Sequence, residues 1–482
     1  MLKEFKELIK HSAIYGSANF LKKGIGFLMI PVYTRFLTPA DYGVLELLDL
    51  TLEIVGMIVG MRLGGALIRY YHNYDSKEDK EAVFTTALIF SAILSIFLLC
   101  VLQLFSKNIS FLVTGTDEYL LSFQMVFICF AIQNIYLISE TYLIVQKKSV
   151  LYSFLSTMTL VLSLSLNILF VVFMGMKVYG ILLSMLITKS INAVIVVPVT
   201  LKGVRLRFSI KKLLEMVKYA LPLIPASLSM FVIHFSDRFF IQKYCELNEL
   251  GLYSLGYKFG MMISVLISQP IFRIWDTQRY EIAKKENGKE IFSKVFTYYN
   301  FFVVSVGLVI SVYIREIIFI IASDSFQGGS EVVPLIVLSY IFFGISSFVS
   351  FGILYRYQTK YIALIQLIVA GVNIIANIFF IKNYGVIGAG ISTLITFFTL
   401  SLLTYFFAQK LYYIKFEYFK FFILFFTAVS FFLIANSIDE SLVVSIIIKT
   451  FLLILYLVVL FVFKFFTMEE IRQVKRMFFS KN

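Results

Sequence analysis

Charged side chains are scarce in this sequence. Asp, Glu, Lys and Arg together make up 15% of the 482 residues, whereas soluble domains carry about 25%. Hydrophobic residues reach 60%, against roughly 45–50% in soluble domains. A soluble fold would have to expose much of this apolar surface to water. The composition therefore excludes an ordinary soluble domain and indicates a protein whose solvent is the lipid bilayer.

Residues that carry catalytic or metal chemistry are rare as well. The three cysteines, Cys100, Cys129 and Cys245, lie far apart in apolar stretches, and the three histidines are equally scattered. Their spacing builds neither a disulfide framework nor a metal site. There is no Gly-x-x-x-x-Gly-Lys-Ser/Thr loop for ATP, and no arrangement of Ser, His and Cys for nucleophilic catalysis. We therefore expect no enzyme, no cofactor and no metal.

Long apolar runs are what the sequence has in abundance. A helix needs about 20 such residues to cross the hydrocarbon core. The sequence predicts an all-α polytopic membrane protein with fourteen transmembrane helices. The predicted spans are 12–36, 42–68, 81–105, 119–145, 150–174, 178–200, 216–241, 249–275, 292–314, 332–355, 360–381, 386–408, 418–436 and 442–464.

The loop charges indicate the orientation of these helices. Short cytoplasmic loops carry an excess of Lys and Arg. If the N-terminus is inside, the inside segments hold 28 Lys and Arg and the outside segments hold 6, when residues at the very ends of the spans are counted with the neighbouring segment. We therefore expect both termini to be cytoplasmic in a bacterial inner membrane. The net charge of +14 then reflects these loops, and no nucleic-acid partner is expected.

Two halves of the chain resemble each other. The run Val-x-Gly-x-x-x-Ser-x-Leu-Ile-Thr occurs at 178–188 and again at 386–396, an offset of 208 that also relates Gly43 to Gly251. Because each repeat holds an even number of helices, the two repeats are parallel in the membrane. The predicted domains are two six-helix lobes facing a central cavity, 1–208 and 209–412, followed by helices 13 and 14 with the cytoplasmic tail in 413–482.

Several charged residues fall inside the predicted helices, where a charge costs roughly 2.5–3.5 kcal/mol on insertion scales. Glu46, Asp49 and Glu53 share one face of helix 2. Such residues line a wet cavity or form structural ion pairs, and those near helix ends can extend to the headgroups. Lys189 and Lys449 are expected to be structural or to extend in this way. The deep or near-terminal cations are Lys22, Lys23, Arg35, Arg62, Arg238, Lys258 and Arg273.

The first fifty residues resemble a known family. They contain Tyr-Gly at 15–16, Asn19, Lys23, Pro31 and the run Thr-Arg-Phe-Leu-Thr-Pro-Ala-Asp-Tyr-Gly at 34–43. This pattern is similar to the polysaccharide-biosynthesis branch of the multidrug/oligosaccharidyl-lipid/polysaccharide (MOP) exporter superfamily, the Wzx-type O-antigen or capsule flippases.

The resemblance implies a function in lipopolysaccharide or capsule synthesis. The expected substrate is an oligosaccharide unit on undecaprenyl pyrophosphate, flipped by alternating access under a proton or sodium gradient. Besides membrane lipids, polysaccharide polymerase and export machinery are expected partners. On this interpretation the headgroup is bound by Lys22 or Lys23, Arg62 and Lys258, with Arg35, Arg238 and Arg273 as weaker candidates. Glu53, then Asp49 and Glu46, are the candidates for ion coupling.

Three alternatives remain open at this point. A lipid II flippase would share the fold and a cationic cavity. A multidrug or cation antiporter of the same superfamily would favour an acidic and aromatic cavity, and the deep Lys and Arg argue against it. A membrane-embedded polymerase or ligase of lipid-linked sugars would need a sizeable outside loop, and no predicted outside loop provides one.

Overall fold

The computed structural model of this protein describes residue 27 and the ranges 29–59, 63–438, 440–463 and 465–466, and it is entirely helical there, without a β-strand. The chain divides into two compact units, the first ending at Gly251 and the second beginning at Leu252. The predicted lobe boundary at 208 lies earlier in the chain, before two helices that pack with the first unit.

In its described residues, the first unit contains ten α-helices and the start of an eleventh. They are α1 (Ile30–Phe36), α2 (Pro39–Val59), α3 (Leu63–Asn73), α4 (Lys77–Leu104), α5 (Ser106–Thr114), α6 (Leu120–Val145), α7 (Ser149–Asn167), α8 (Lys177–Leu201), α9 (Ile210–Ala220), α10 (Ile224–Tyr244) and α11 (Leu247–Ile263). Helix α6 packs against both α4 and α8, and α10 packs against α2.

The described part of the second unit contains the rest of α11 and eight further α-helices. They are α12 (Gln269–Ile282), α13 (Gly288–Ile321), α14 (Val333–Val349), α15 (Phe351–Tyr355), α16 (Lys360–Ala376), α17 (Lys382–Leu411), α18 (Tyr418–Asn436) and α19 (Leu442–Val462). Helix α17 packs along α14 and α16, while α13 contacts α14, α18 and α19.

Local sequence explains where the helices begin and end. Helix α4 begins after Ser76, whose side chain accepts a hydrogen bond from the backbone N–H of Asp79 and so satisfies a free donor of the first turn. Helix α5 ends at Gly115, which adopts a left-handed conformation with φ of 76°. Helix α6 ends before a short polar segment, in which Lys147 adopts a left-handed backbone conformation with φ of 58°.

A wide π-helical turn occurs at the same place in each repeat. It follows Asn167 in the first unit (Ile168–Phe173) and starts at Asn377 in the second (Asn377–Ile381). The repeated glycines Gly180 and Gly388 lie against these turns: a Cβ atom on Gly180 would be 3.0 Å from Cβ of Phe170, and one on Gly388 would be 2.0 Å from the carbonyl oxygen of Phe380. The Val-x-Gly repeat seen in the sequence therefore serves close helix packing in both units.

Eleven helical segments in the described part of the chain are long and apolar enough to cross a membrane. One of them, Lys360–Leu411, is 52 residues long and contains a non-helical residue, Gly385, with φ of 55° and ψ of −133°. The protein is thus a multi-pass, all-α membrane protein. The first predicted span, 12–36, lies mostly outside the described residues, and the second is interrupted by 60–62, which also lie outside them.

Candidate functional site

An acidic face on α2 is the clearest polar feature inside the first unit. Asp49 and Glu53 are exposed and Glu46 is half-buried, whereas Val44, Leu47, Leu48, Leu50 and Thr51 between them are buried. The spacing of three and four residues places the three carboxylates on one side of the helix. Apolar residues hold the opposite side in the core, so the carboxylates are directed away from it.

Arg238 of α10 forms an ion pair with this face. It is only 1% exposed, its Nη1 donates to Oδ1 of Asp237 at 2.7 Å, and its Nε lies 3.6 Å from Oε1 of Glu46. The same Nη1 donates to the backbone carbonyl of His234 at 2.7 Å. Glu53 is within electrostatic range of Arg238 as well. Arg238 therefore links α10 to the acidic face through a buried ion-pair network.

The ion pairs of Arg238 weaken the headgroup-binding role that was expected for it. A buried guanidinium that already contacts two carboxylates can bind a pyrophosphate only if those contacts rearrange, because removing one partner of a buried pair is costly. In this conformation Arg238 balances carboxylates, whereas the alternative open from the sequence was that it extends from a helix end to the headgroups.

Lys189 of α8 is a second cation near the acidic face. It is half-buried and interacts electrostatically with Asp49 of α2 and with Cys129 of α6. The sequence indicates only that Lys189 lies inside a helix, and assigns it no site. Its proximity to Asp49 adds α8 to the helices that contribute to this cluster.

Three of the expected headgroup residues, Lys22, Lys23 and Arg62, lie outside the described residues. In the part of the first unit that is described, carboxylates outnumber cations around α2: Glu46, Asp49, Glu53 and Asp237 face Arg238 and Lys189. A net positive charge there would depend on Lys22, Lys23 and Arg62. Arg35, at the end of α1, is exposed.

In the second unit, Arg273 and Asp276 of α12 share a polar pocket of about 290 Å³. The pocket is also lined by Ser264, Ser268, Gln269, Phe272, Phe343 and Ser347. Asp276 binds Arg279 at 2.9 Å, and the Ser268 hydroxyl lies 3.0 Å from that of Tyr299. Arg273 is exposed, whereas Lys258 of α11 is half-buried. Arg273 is thus directed into a pocket with hydrogen-bonding side chains.

The sequence does not indicate which charges on separate helices form ion pairs. Asp237 is adjacent to Arg238, so its contact could be anticipated, but Glu46 lies far from Arg238 along the chain. Likewise, nothing in the sequence pairs Lys449 with Glu316, although the structure places them in a buried ion pair. Helical periodicity identifies which residues share a face, but not which helix that face meets.

The fold resembles solved membrane transporters. The structure of the lipid II flippase MurJ in an inward closed conformation superimposes with a TM-score of 0.74 at 15% identity, covering 93% of this chain and 99% of that one. An inward-facing multidrug resistance MATE family transporter of the MOP superfamily gives 0.63 at 14% identity, covering 80% and 94%. The MATE transporter VcmN of Vibrio cholerae, in its bent form, gives 0.54 at 14% identity, covering 85% and 98%.

A search of curated proteins gives no significant match. The model of a family described as "Polysaccharide biosynthesis protein", however, matches residues 8–275, which is more than half of the chain and includes the run at 34–43 and the acidic face of α2. The solved structures that share this fold are those of membrane transporters. The chain therefore belongs to the polysaccharide biosynthesis protein family and has the fold shared by MurJ and the MATE transporters.

Proposed function

We propose that the protein flips a polyprenyl-pyrophosphate-linked oligosaccharide from the cytoplasmic to the outer leaflet of a bacterial inner membrane, by alternating access coupled to a proton or sodium gradient. The family match over residues 8–275 is the observation that carries this proposal. The undecaprenyl carrier and the use in O-antigen, lipopolysaccharide or capsule synthesis come from the sequence resemblance. The polymerase and export partners come from the same source.

Fourteen transmembrane helices with both termini cytoplasmic are part of the proposal. Eleven candidate spans are found in the described residues. Three more bring the number to fourteen. One comes from dividing Lys360–Leu411 at Gly385, one is formed by α2 with α3, and one is the apolar run at 12–36, which would be the first span of the chain. The split of 28 inside against 6 outside Lys and Arg supports this count, because a wrong number of helices would disturb the alternation.

The proposed headgroup site consists of cations inside the transmembrane helices. Ammonium and guanidinium groups offset the charge of a pyrophosphate, and Arg can bind it through two parallel hydrogen bonds. Lys258 and Arg273 are the described candidates of the second unit, and Arg273 lines the pocket at α12. Lys22, Lys23 and Arg62 complete the proposed set, and Arg35 and Arg238 are the weaker members.

The proposed coupling site is the acidic face of α2. Carboxylates inside a membrane protein commonly mark ion pathways. Glu53 and Asp49 are exposed on the helix surface, whereas Glu46 is half-buried and lies within ion-pair distance of Arg238. We rank Glu53 first, Asp49 second and Glu46 third.

The test is translocation in proteoliposomes made with the purified full-length protein and an imposed proton or sodium gradient. We expect transfer of an oligosaccharide-pyrophosphate lipid that disappears when the gradient is collapsed. Lys258→Ala should abolish it and Lys258→Arg should retain part of it, with Lys382→Ala, an exposed lysine at the start of α17, as the matched control. Glu53→Gln should remove the ion dependence, with the exposed Glu118→Gln as its control.

A lipid II flippase is the second candidate, favoured by the fold similarity to MurJ. The same assay separates the two, because each lipid can be supplied alone. Transport of lipid II without transport of the oligosaccharide lipid would refute the proposal. Normal transport by Lys258→Ala, or full ion dependence in Glu53→Gln, would instead refute only the corresponding site assignment.

A further inference from the structure

A lysine-lined pocket of about 270 Å³ lies in the first unit where α4 begins. Its walls come from the end of α3, the first turn of α4, the end of α6 and the segment after α8. They carry three ammonium groups, two carboxylates and two phenol rings, from Lys77, Lys80, Lys202, Asp75, Glu81, Tyr71 and Tyr142. This pocket belongs to neither the acidic face of α2 nor the proposed headgroup cations.

A second pocket of about 490 Å³ lies in the second unit where α13 begins. Its walls come from the first turns of α13 and from the segment after α17. They also carry three ammonium groups, two carboxylates and two aromatic rings, from Lys289, Lys294, Lys415, Glu290, Glu417, Tyr413 and Phe416.

The two pockets occupy corresponding places in the repeats. Helices α4 and α13 are the third transmembrane helices of their repeats, and the segments after α8 and α17 follow the sixth. Each pocket combines the start of the third helix with the segment after the sixth. A feature that recurs at the same position in both halves of a duplicated chain is unlike a chance grouping of surface lysines.

The charges in each pocket follow the same scheme. One lysine forms an ion pair with a carboxylate four residues away on the same helix: Lys77 with Glu81 at 3.7 Å, and Lys294 with Glu290 at 3.3 Å. Among the residues that the structure describes, the other lysines, Lys80, Lys202, Lys289 and Lys415, have no carboxylate within ion-pair distance. Lysines outnumber carboxylates by one in each pocket.

The pocket walls are held in place by a carboxylate in both units. Oε2 of Glu81, which is buried, accepts a hydrogen bond at 3.3 Å from the backbone N–H of Arg205 in the segment after α8. Oε2 of Glu417, in the segment after α17, accepts one at 2.6 Å from the hydroxyl of Thr297 in α13. Each bond ties the segment after the sixth helix to the third helix, so the lysines are carried by fixed backbone.

We propose that each pocket binds the phosphodiester headgroup of an anionic phospholipid such as phosphatidylglycerol. The surplus of lysine among the lining residues of each pocket favours an anionic group, and ammonium groups donate readily to phosphate oxygens. Basic pockets between transmembrane helices on the cytoplasmic side recognise such headgroups. The inference rests on the proposed topology, which places both pockets on that side, but not on the proposed substrate.

Apolar surface beside the second pocket favours a lipid over a soluble phosphate compound. Phe419 and Phe422 follow Glu417 within the first turns of α18 and are 77% and 66% exposed, and Phe302 of α13 is 49% exposed. In the first unit, Val150 and Phe154 of α7, shortly after the end of α6, are exposed likewise. A ligand held in these pockets by its phosphate would have hydrophobic side chains available for acyl chains.

The test uses the purified full-length protein in nanodiscs of phosphatidylcholine with or without phosphatidylglycerol. Bound lipids are counted by native mass spectrometry after release from the discs, and thermal unfolding is followed in parallel. The variants are Lys80→Gln with Lys202→Gln, Lys289→Gln with Lys415→Gln, and all four together. The matched control is Lys243→Gln with Lys382→Gln. It removes as many positive charges as each double variant, but from outside segments.

We expect the wild type and the control to retain two phosphatidylglycerol molecules and to unfold at a higher temperature when this lipid is present. Each double variant should retain one phosphatidylglycerol molecule, and the quadruple variant should retain none. In pure phosphatidylcholine all variants should unfold at the same temperature as the wild type. Equal phosphatidylglycerol retention by the quadruple variant and the control would overturn the proposal. If inorganic phosphate stabilises the wild type in pure phosphatidylcholine and the variants lose this effect, the proposal is wrong. The pockets then bind a soluble phosphate compound and not a lipid.

This experiment needs no oligosaccharide lipid and no ion gradient. Failure of the proposed translocation would therefore leave the lipid-retention result intact, and loss of lipid retention would not affect the flippase proposal.

Discussion

Glu316 of α13 shows how a charge is accommodated inside the helices of the second unit. Its Oε1 accepts hydrogen bonds from the ammonium of Lys449 and, at 2.7 Å, from the hydroxyl of Ser445, both on α19. The side chains of Glu316 and Lys449 are only 9% and 4% exposed. Of the two roles expected for Lys449, the structural one is thus confirmed, and Lys449 itself comes from α19, a helix that lies outside the sequence repeat.

Removing one member of this pair should destabilise the protein strongly. Lys449→Met leaves the Glu316 carboxylate buried without its cation, which typically costs about 3–5 kcal/mol. The double variant Glu316→Leu with Lys449→Met should recover most of the loss, because neither charge then has to be buried. Thermal unfolding of the single and the double variant in the same detergent measures the loss and its recovery.

The exposed ion pair of Lys107 with Asp117 provides the control, since pairs of this kind contribute little. If Lys449→Met and Lys107→Met unfold at the same temperature, the buried pair does not stabilise the contact of α19 with α13.

At the scale of the helices, the repeated glycines Gly43 and Gly251 allow the start of α2 to contact the start of α11. A Cβ atom on Gly251 would lie 1.8 Å from the carbonyl oxygen of Pro39, and one on Gly43 would lie 2.5 Å from that of Leu247. Both distances are far shorter than any van der Waals contact. The two positions that the offset of 208 relates in the sequence therefore meet at one backbone-to-backbone contact.

Gly251→Ala should push these two helix starts apart, because backbone cannot yield as a flexible side chain does. Spin labels at positions 40 and 248 should report a longer distance than in the parent protein, measured by pulsed electron paramagnetic resonance. Gly371→Ala is the matched control, since a Cβ atom there meets open space. An unchanged distance in Gly251→Ala would show that the glycine is not required for this contact.

At the scale of the whole molecule, the orientation in the membrane determines which pockets and loops face the cytoplasm. A single cysteine at position 284 should react with an impermeant maleimide only after the membrane is opened, because 279–289 is predicted to be inside. A cysteine at 243 should react in intact cells. Labelling of position 284 in intact cells would contradict the proposed topology.

The native Cys245 is a poor reporter for such labelling. Burial, together with a hydrogen bond to Glu249 and the charge of that carboxylate, raises the pKa of the Cys245 thiol to about 12. The reactive thiolate is therefore scarce at neutral pH. The introduced cysteines are best placed in a background in which the three native cysteines are replaced.

Sequence by itself determined the helical, membrane-spanning character of the protein and most of its helix positions. Predicted spans such as 119–145, 418–436 and 442–464 correspond to α6, α18 and α19 within a few residues, because the apolar length needed to cross a bilayer leaves a strong and local signal. The short helix α5 and the π-helical turns were not predicted, since they alter the course of a helix without interrupting its apolar composition.

Only the tertiary structure decided which charges meet. The sequence placed Glu46, Asp49 and Glu53 on one face, as observed, but it could not direct that face toward Arg238, which lies on a helix far along the chain. Nor could it distinguish Arg238, which is enclosed by carboxylates, from Arg273, which opens into a pocket. Helical periodicity orders the residues around one axis, whereas ion pairs and pockets depend on how separate helices are packed, and that information is not local in the chain.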